Sequence, residues 1–83
     1  MTMTDLVILE FLNDYDLELA PKPLYRNLNR HGHSIGYSTV RGRLPELADK
    51  GLLVKDNDGY YQLSDLGREY LGGEVDADEL EDA

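Results

Sequence analysis

From Leu6 to Leu12 the chain is apolar at Leu6, Val7, Ile8, Leu9, Phe11 and Leu12, broken only by Glu10. Wound as a helix, these positions go nearly all the way round, whereas a helix lying on a surface needs a single apolar stripe. Thr4 is placed to cap this helix, and Asp5 lies in its opening turn, where the helix dipole favours an anion. The helix is expected to run to about Asn13. Its surplus apolar surface calls for cover on two sides. A second protomer is the simplest second cover, with Leu6, Ile8, Leu9 and Leu12 at the interface; the alternative is a helix threaded through the middle of its own domain.

The spacing then changes. Leu17–Leu19 alternates apolar with acidic residues and is compatible with a short strand. Pro21 and Pro23 open a second helix, the position where proline is tolerated. Leu24, Tyr25 and Leu28 line its inner side; Arg26 and Arg30, four apart, share its outer side. Gly32 ends it. A third helix starts at about Gly36, with Tyr37, Val40, Leu44, Leu47 and Ala48 in one clean stripe, and Gly51 stops it. After Gly51 the period falls to two. Leu52 and Val54 alternate with Leu53 and Lys55, and Tyr61 and Leu63 with Tyr60 and Gln62; Asp56-Asn57-Asp58-Gly59 between them is a hairpin turn. Ser64 caps a fourth helix that Gly72-Gly73 ends. The order predicts an α+β, mostly helical fold: a winged helix-turn-helix with three helices, a β-hairpin wing and a C-terminal helix. Its domain spans residues 1–72, followed by an acidic, mobile tail over 73–83.

Charge adds a functional clue. The 83-residue chain carries net charge −9, yet residues 22–50 hold six bases (Lys22, Arg26, Arg30, Arg41, Arg43 and Lys50) against Glu46 and Asp49. That segment is +4, between flanks of −5 and −8. A local cationic stretch marks where a polyanion can sit, even on an acidic molecule. Acids outnumber bases about two to one, Asp is commoner than Glu, and only three of eight bases are Lys. Such a surface suits molar salt, which weakens phosphate attraction. The absence of cysteine excludes disulfides and thiolate metal sites, and no basic leader or membrane-length apolar run is present. A cytoplasmic protein with no cofactor and no membrane partner is expected. A domain this small has a modest core, and association is a common remedy.

The residues Ile35 to Arg41, then Leu44, Leu47, Gly51-Leu52 and the run Tyr60 to Arg68, resemble small haloarchaeal winged-helix proteins similar to the repressor of the haloarchaeal phage phi-H. More distantly they resemble multiple-antibiotic-resistance-type regulators. The resemblance covers about residues 4–72. It implies a transcriptional regulator whose third helix enters the major groove while the wing reaches the flanking backbone or minor groove. Together with the cationic segment and the over-apolar first helix, this predicts a repressor that binds duplex DNA as a homodimer. In this chain Ser38 and Thr39 lie in the first turn of that helix, where hydroxyls and free N–H groups can bond phosphate. Tyr37, Arg41 and Arg43 accompany them, Lys22, Arg26 and Arg30 on the second helix could neutralise adjacent backbone, and Lys55 is the wing's base.

Other residues weigh against strong base readout. Gly42 and Pro45 face outward without a polar side chain, and Glu46 and Asp49 repel phosphate. Pro45 removes the hydrogen bond to the Arg41 carbonyl, at a cost of about 3 kcal/mol, and should kink the helix. The wing tip Asp56-Asn57-Asp58 is acidic and could face a protein, so the alternative function is a protein–protein interaction module on the same scaffold. His31 and His33 form an H-x-H without a third metal ligand, Asp76–Asp82 lacks calcium-loop spacing, and no nucleophile–base pair or phosphate loop appears; the expectation is not an enzyme. On a strand Tyr61 points to the core and Tyr60 to solvent.

Overall fold

The computed structural model describes residues 2–15 and 17–73 of the protein. The expected acidic tail beyond Gly73 lies outside the described residues. The elements are α1 (Met3–Tyr15), α2 (Pro21–Arg30), α3 (Tyr37–Asp49), β1 (Leu53–Lys55), β2 (Tyr61–Leu63) and α4 (Asp65–Leu71).

Helix α1 starts two residues earlier than expected and ends two later. Its cap is Thr2, not Thr4. The Thr2 hydroxyl accepts the Asp5 N–H at 3.2 Å while the Asp5 carboxylate accepts the Thr2 N–H at 3.1 Å, a reciprocal arrangement that satisfies two otherwise orphaned donors. The apolar surplus of α1 is taken up inside the domain. Ile8, Leu9 and Leu12 are 0, 0 and 1% exposed, and Phe11 is buried beside them. Helix α1 packs on both α4 and β2, so it is the helix threaded through its own domain. This corrects the assignment of Ile8, Leu9 and Leu12 to a dimer interface: a side chain already enclosed by its own chain has no surface left for a second copy. Of the four expected interface residues, only Leu6 keeps partial exposure.

Helix α2 opens on Pro21 and buries Leu24 and Leu28. Gly32, at φ +90°, lets the His33 N–H turn back to the Leu28 carbonyl at 3.0 Å, closing the helix end. The Asn29 amide donates to the carbonyls of Tyr25 (2.9 Å) and Ile35 (3.0 Å), stitching the last turn of α2 to the segment that leads into α3. Gly36 is the N-cap of α3, as the spacing predicts, and the helix runs through Pro45 to Asp49. Val40, Leu44 and Leu47 are buried, and α3 packs on α2 and β1.

Strands β1 and β2 pair antiparallel with Leu53 opposite Leu63, Val54 opposite Gln62 and Lys55 opposite Tyr61. The expected strand at Leu17–Leu19 reduces to one bridge. Leu19 and Tyr61 exchange N–H···O bonds of 2.9 Å in both directions, which covers the outer edge of β2. Tyr61 is buried and Tyr60 exposed, as strand alternation requires. Ser64 then locks wing to α4: its hydroxyl accepts the Gly67 N–H at 3.0 Å and donates to the Gly51 carbonyl at 2.6 Å.

Candidate nucleic-acid interface

The outward side of α2 carries Lys22, Arg26 and Arg30, four residues apart, so that they rise as one ridge along the helix. All three are exposed. Arg41 is exposed on α3. Among the described residues these four cations make no ion pair with an acid; α2 itself carries no Asp or Glu. Ser38 and Thr39 are exposed in the first turn of α3, and no side chain caps that end. The N–H groups of that first turn have no side-chain cap and carry the partial positive charge of a helix start. Tyr37, 38% exposed, leans on Tyr25 with ring centroids 5.7 Å apart in an edge-to-face contact, which fixes the aromatic at the mouth of the helix.

Arg43 is placed differently. Its Nε donates to Asp5 Oδ1 at 2.7 Å and its Nη2 to Asp5 Oδ2 at 2.8 Å, while Nη1 bonds Glu46. Asp5 is 0% exposed. Burial by itself pushes the Asp5 carboxyl up, but the bonds and charge of Arg43, with the Thr2 donor, outweigh it and hold the carboxyl below its ordinary value. The bond to Asp5 raises Arg43 in turn. A carboxyl lowered on folding contributes stability that is complete above about pH 4 and is lost as pH falls through the lowered value. Thermal unfolding measured from neutral pH downward should therefore show a shallower acid limb for Asp5→Asn than for the wild type; coincident limbs would remove Asp5 from the acid response.

The wing offers little to phosphate. The Asp56 carboxylate accepts the N–H groups of Asp58 and Tyr60, both at 2.9 Å, and so spends itself on the turn, but its charge stays at the tip beside that of Asp58. Lys55 sits 5.9 Å from the centre of the Tyr61 ring, a cation–π distance. Gly42 and Pro45 are exposed, and nothing lies within 4 Å of a Cβ built on Gly42, so the backbone of α3 is approachable at that point. His31 accepts or donates one bond to the Tyr15 hydroxyl at 3.3 Å, and among the described residues no group of three or more His, Cys, Asp or Glu could hold a metal. No helix among them is long and apolar enough to cross a membrane.

Lys22, Arg26 and Arg30 are thus exposed on α2, and Ser38, Thr39 and Arg41 on α3, the helix that packs on it; Tyr37 leans on Tyr25 of α2, while Arg43 bonds Asp5 and Glu46 and Lys55 lies over the Tyr61 ring. Sequence reasoning missed the role of Asp5. The Thr2-x-x-Asp5 spacing was a visible signal for the cap, but nothing local announced Arg43.

Helices α2 and α3 joined by a short turn, a hairpin behind them and α1 and α4 closing the core define a winged helix-turn-helix protein. The chain belongs to the family described as winged helix-turn-helix phage repressor, which it matches over residues 1–83. It is 38% identical over 88 residues to the repressor protein of Halobacterium phage phiH, spanning 100% of this chain and 92% of that protein. It is also similar to the crystal structure of the PhiH1 repressor-like protein from Haloarcula marismortui, with a TM-score of 0.79 and 38% identity over 93% of this chain and 83% of that one.

Proposed function

We propose that this protein is a DNA-binding repressor that grips duplex DNA through phosphate contacts from Lys22, Arg26, Arg30 and Arg41. Ser38, Thr39 and the open N–H groups at the start of α3 add hydrogen bonds to the same backbone, and Tyr37 lies against it. The observation that carries this reading is the set of exposed cations on α2, with Arg41 on the adjoining α3, that make no ion pair with an acid among the described residues. The acidic turn at Asp56 and Asp58 keeps the wing off the phosphates, and Gly42 lets the α3 backbone come close to the groove. Such an interface takes most of its affinity from charge, so it binds with strong salt dependence and modest sequence preference. The protein acts in the cytoplasm, where its DNA lies, as a homodimer formed through surface outside the core.

The test is a titration of a mixed-sequence duplex at several salt concentrations. Each phosphate contact contributes a slope of about 0.9 in log affinity against log salt, so the Arg26→Ala/Arg30→Ala/Arg41→Ala protein should lose about 2.7 of the wild-type slope, with an affinity loss that is largest at low salt. Equal slopes for the two proteins would remove the ridge from the interface. A second reading, a protein–protein module, draws on the wing, where Val54 and Tyr60 are 47 and 42% exposed next to acidic residues. It predicts no duplex binding by either protein.

A further inference from the structure

Six bases lie in the cationic middle segment, and a sequence view treats Arg41 and Arg43, two residues apart at the heart of α3, as equivalent hands for DNA. The structure separates them. Arg41 is exposed and makes no ion pair with the described acids. Arg43 has all three guanidinium nitrogens engaged: two in a parallel fork on Asp5, the third on Glu46. We infer that Arg43 is a positioning residue that sets the rotation of α3 against α1, and that it does not contact DNA. The inference rests on the DNA-binding reading above and assigns the cations within it.

The argument is one of competing partners. Asp5 has no exposure, so a guanidinium that left it for a phosphate would strand a buried carboxylate whose remaining donor is the Thr2 N–H. Breaking a buried pair on one side is far more costly than losing a contact exposed to water and salt. A two-point fork also fixes direction, which a single ammonium does not. The bond joins residues 38 apart in sequence, tying the capped first turn of α1 to the middle of α3. Arg43 is followed by the buried Leu44. With that side of the helix pinned, Ser38, Arg41 and Gly42 are among the residues left exposed. Glu46, which looks repulsive to DNA in the sequence, has its charge answered by Arg43.

Arg41→Gln and Arg43→Gln remove the same charge from neighbouring positions, so the long-range field changes alike and only direct contact differs. Duplex binding of the full chain should show a salt slope lowered by about 0.9 in Arg41→Gln and unchanged in Arg43→Gln. Adding Asp5→Asn to Arg43→Gln replaces the ion pair by a neutral amide pair; this double variant should recover affinity lost by Arg43→Gln alone, and it serves if the single variant fails to fold. A slope lowered by about 0.9 in Arg43→Gln or in the double variant would overturn the inference. If the wild type binds no duplex, the DNA reading falls, and the positioning role is judged from backbone amide spectra. Arg43→Gln, or the double variant in its place, should then move amides in both α1 and α3 while Arg41→Gln moves only its neighbours; perturbations confined to the residues around position 43 would overturn the positioning role.

Discussion

Leu9→Asp is expected to yield an unfolded chain rather than a soluble monomer. Leu9 is fully enclosed by its own domain. Removing its side chain from that site forfeits about 1.5–3 kcal/mol of apolar burial, and a carboxylate left there without a partner costs several kcal/mol more. A domain of 83 residues has about 4–12 kcal/mol of total stability, so one such substitution consumes most of it. Leu6→Asp is the matched control. Leu6 is only half-buried, so that variant should keep its helical circular dichroism, and its sedimentation at high salt then reports whether this edge of α1 holds a second copy. A folded, monomeric Leu9→Asp protein would mean that the core is assembled otherwise.

Gly67→Ala is the second substitution with a large expected effect. The glycine is buried at the start of α4, where a Cβ would collide with the Leu52 carbonyl oxygen and with Leu63, whose Cδ1 it would meet at 2.7 Å. The carbonyl cannot move aside freely, because it accepts the Ser64 N–H at 3.0 Å. Helix propensity favours alanine by about 0.5–1 kcal/mol. Overpacking of a tight site costs about 1–3 kcal/mol and more where backbone must shift, so the clash wins. The melting temperature is expected to fall by about 8–20 °C. A melting point equal to or above the wild type would show that the wing and α4 can part without cost.

Much of this architecture was legible in the residues. Gly36, Ser64, the prolines at the start of α2 and the Asp56–Gly59 turn each specify local backbone geometry, and local geometry is what spacing encodes. Tyr60 and Tyr61 could be assigned to opposite faces for the same reason. The burial of α1 was legible only as an amount: periodicity says that nearly every side of the helix must be covered, not whether α4 and β2 or another chain provides the cover. The site was half legible. The ridge on α2 follows from four-residue spacing, but the Asp5–Arg43 pair joins two helices far apart in sequence, and no local pattern reports a partner. Asp5 already had a sufficient local explanation in its position at a helix start, which hid the second one.

The ridge on α2 also shapes the search for a target. A molecule of net charge −9 that carries a row of exposed cations along one helix behaves near a polyelectrolyte like a compass needle. Collisions on the wrong side are turned away before they become contacts, and those on the right side arrive already oriented. Selectivity of approach therefore comes from the whole outline of the protein, ahead of any atom that touches a base.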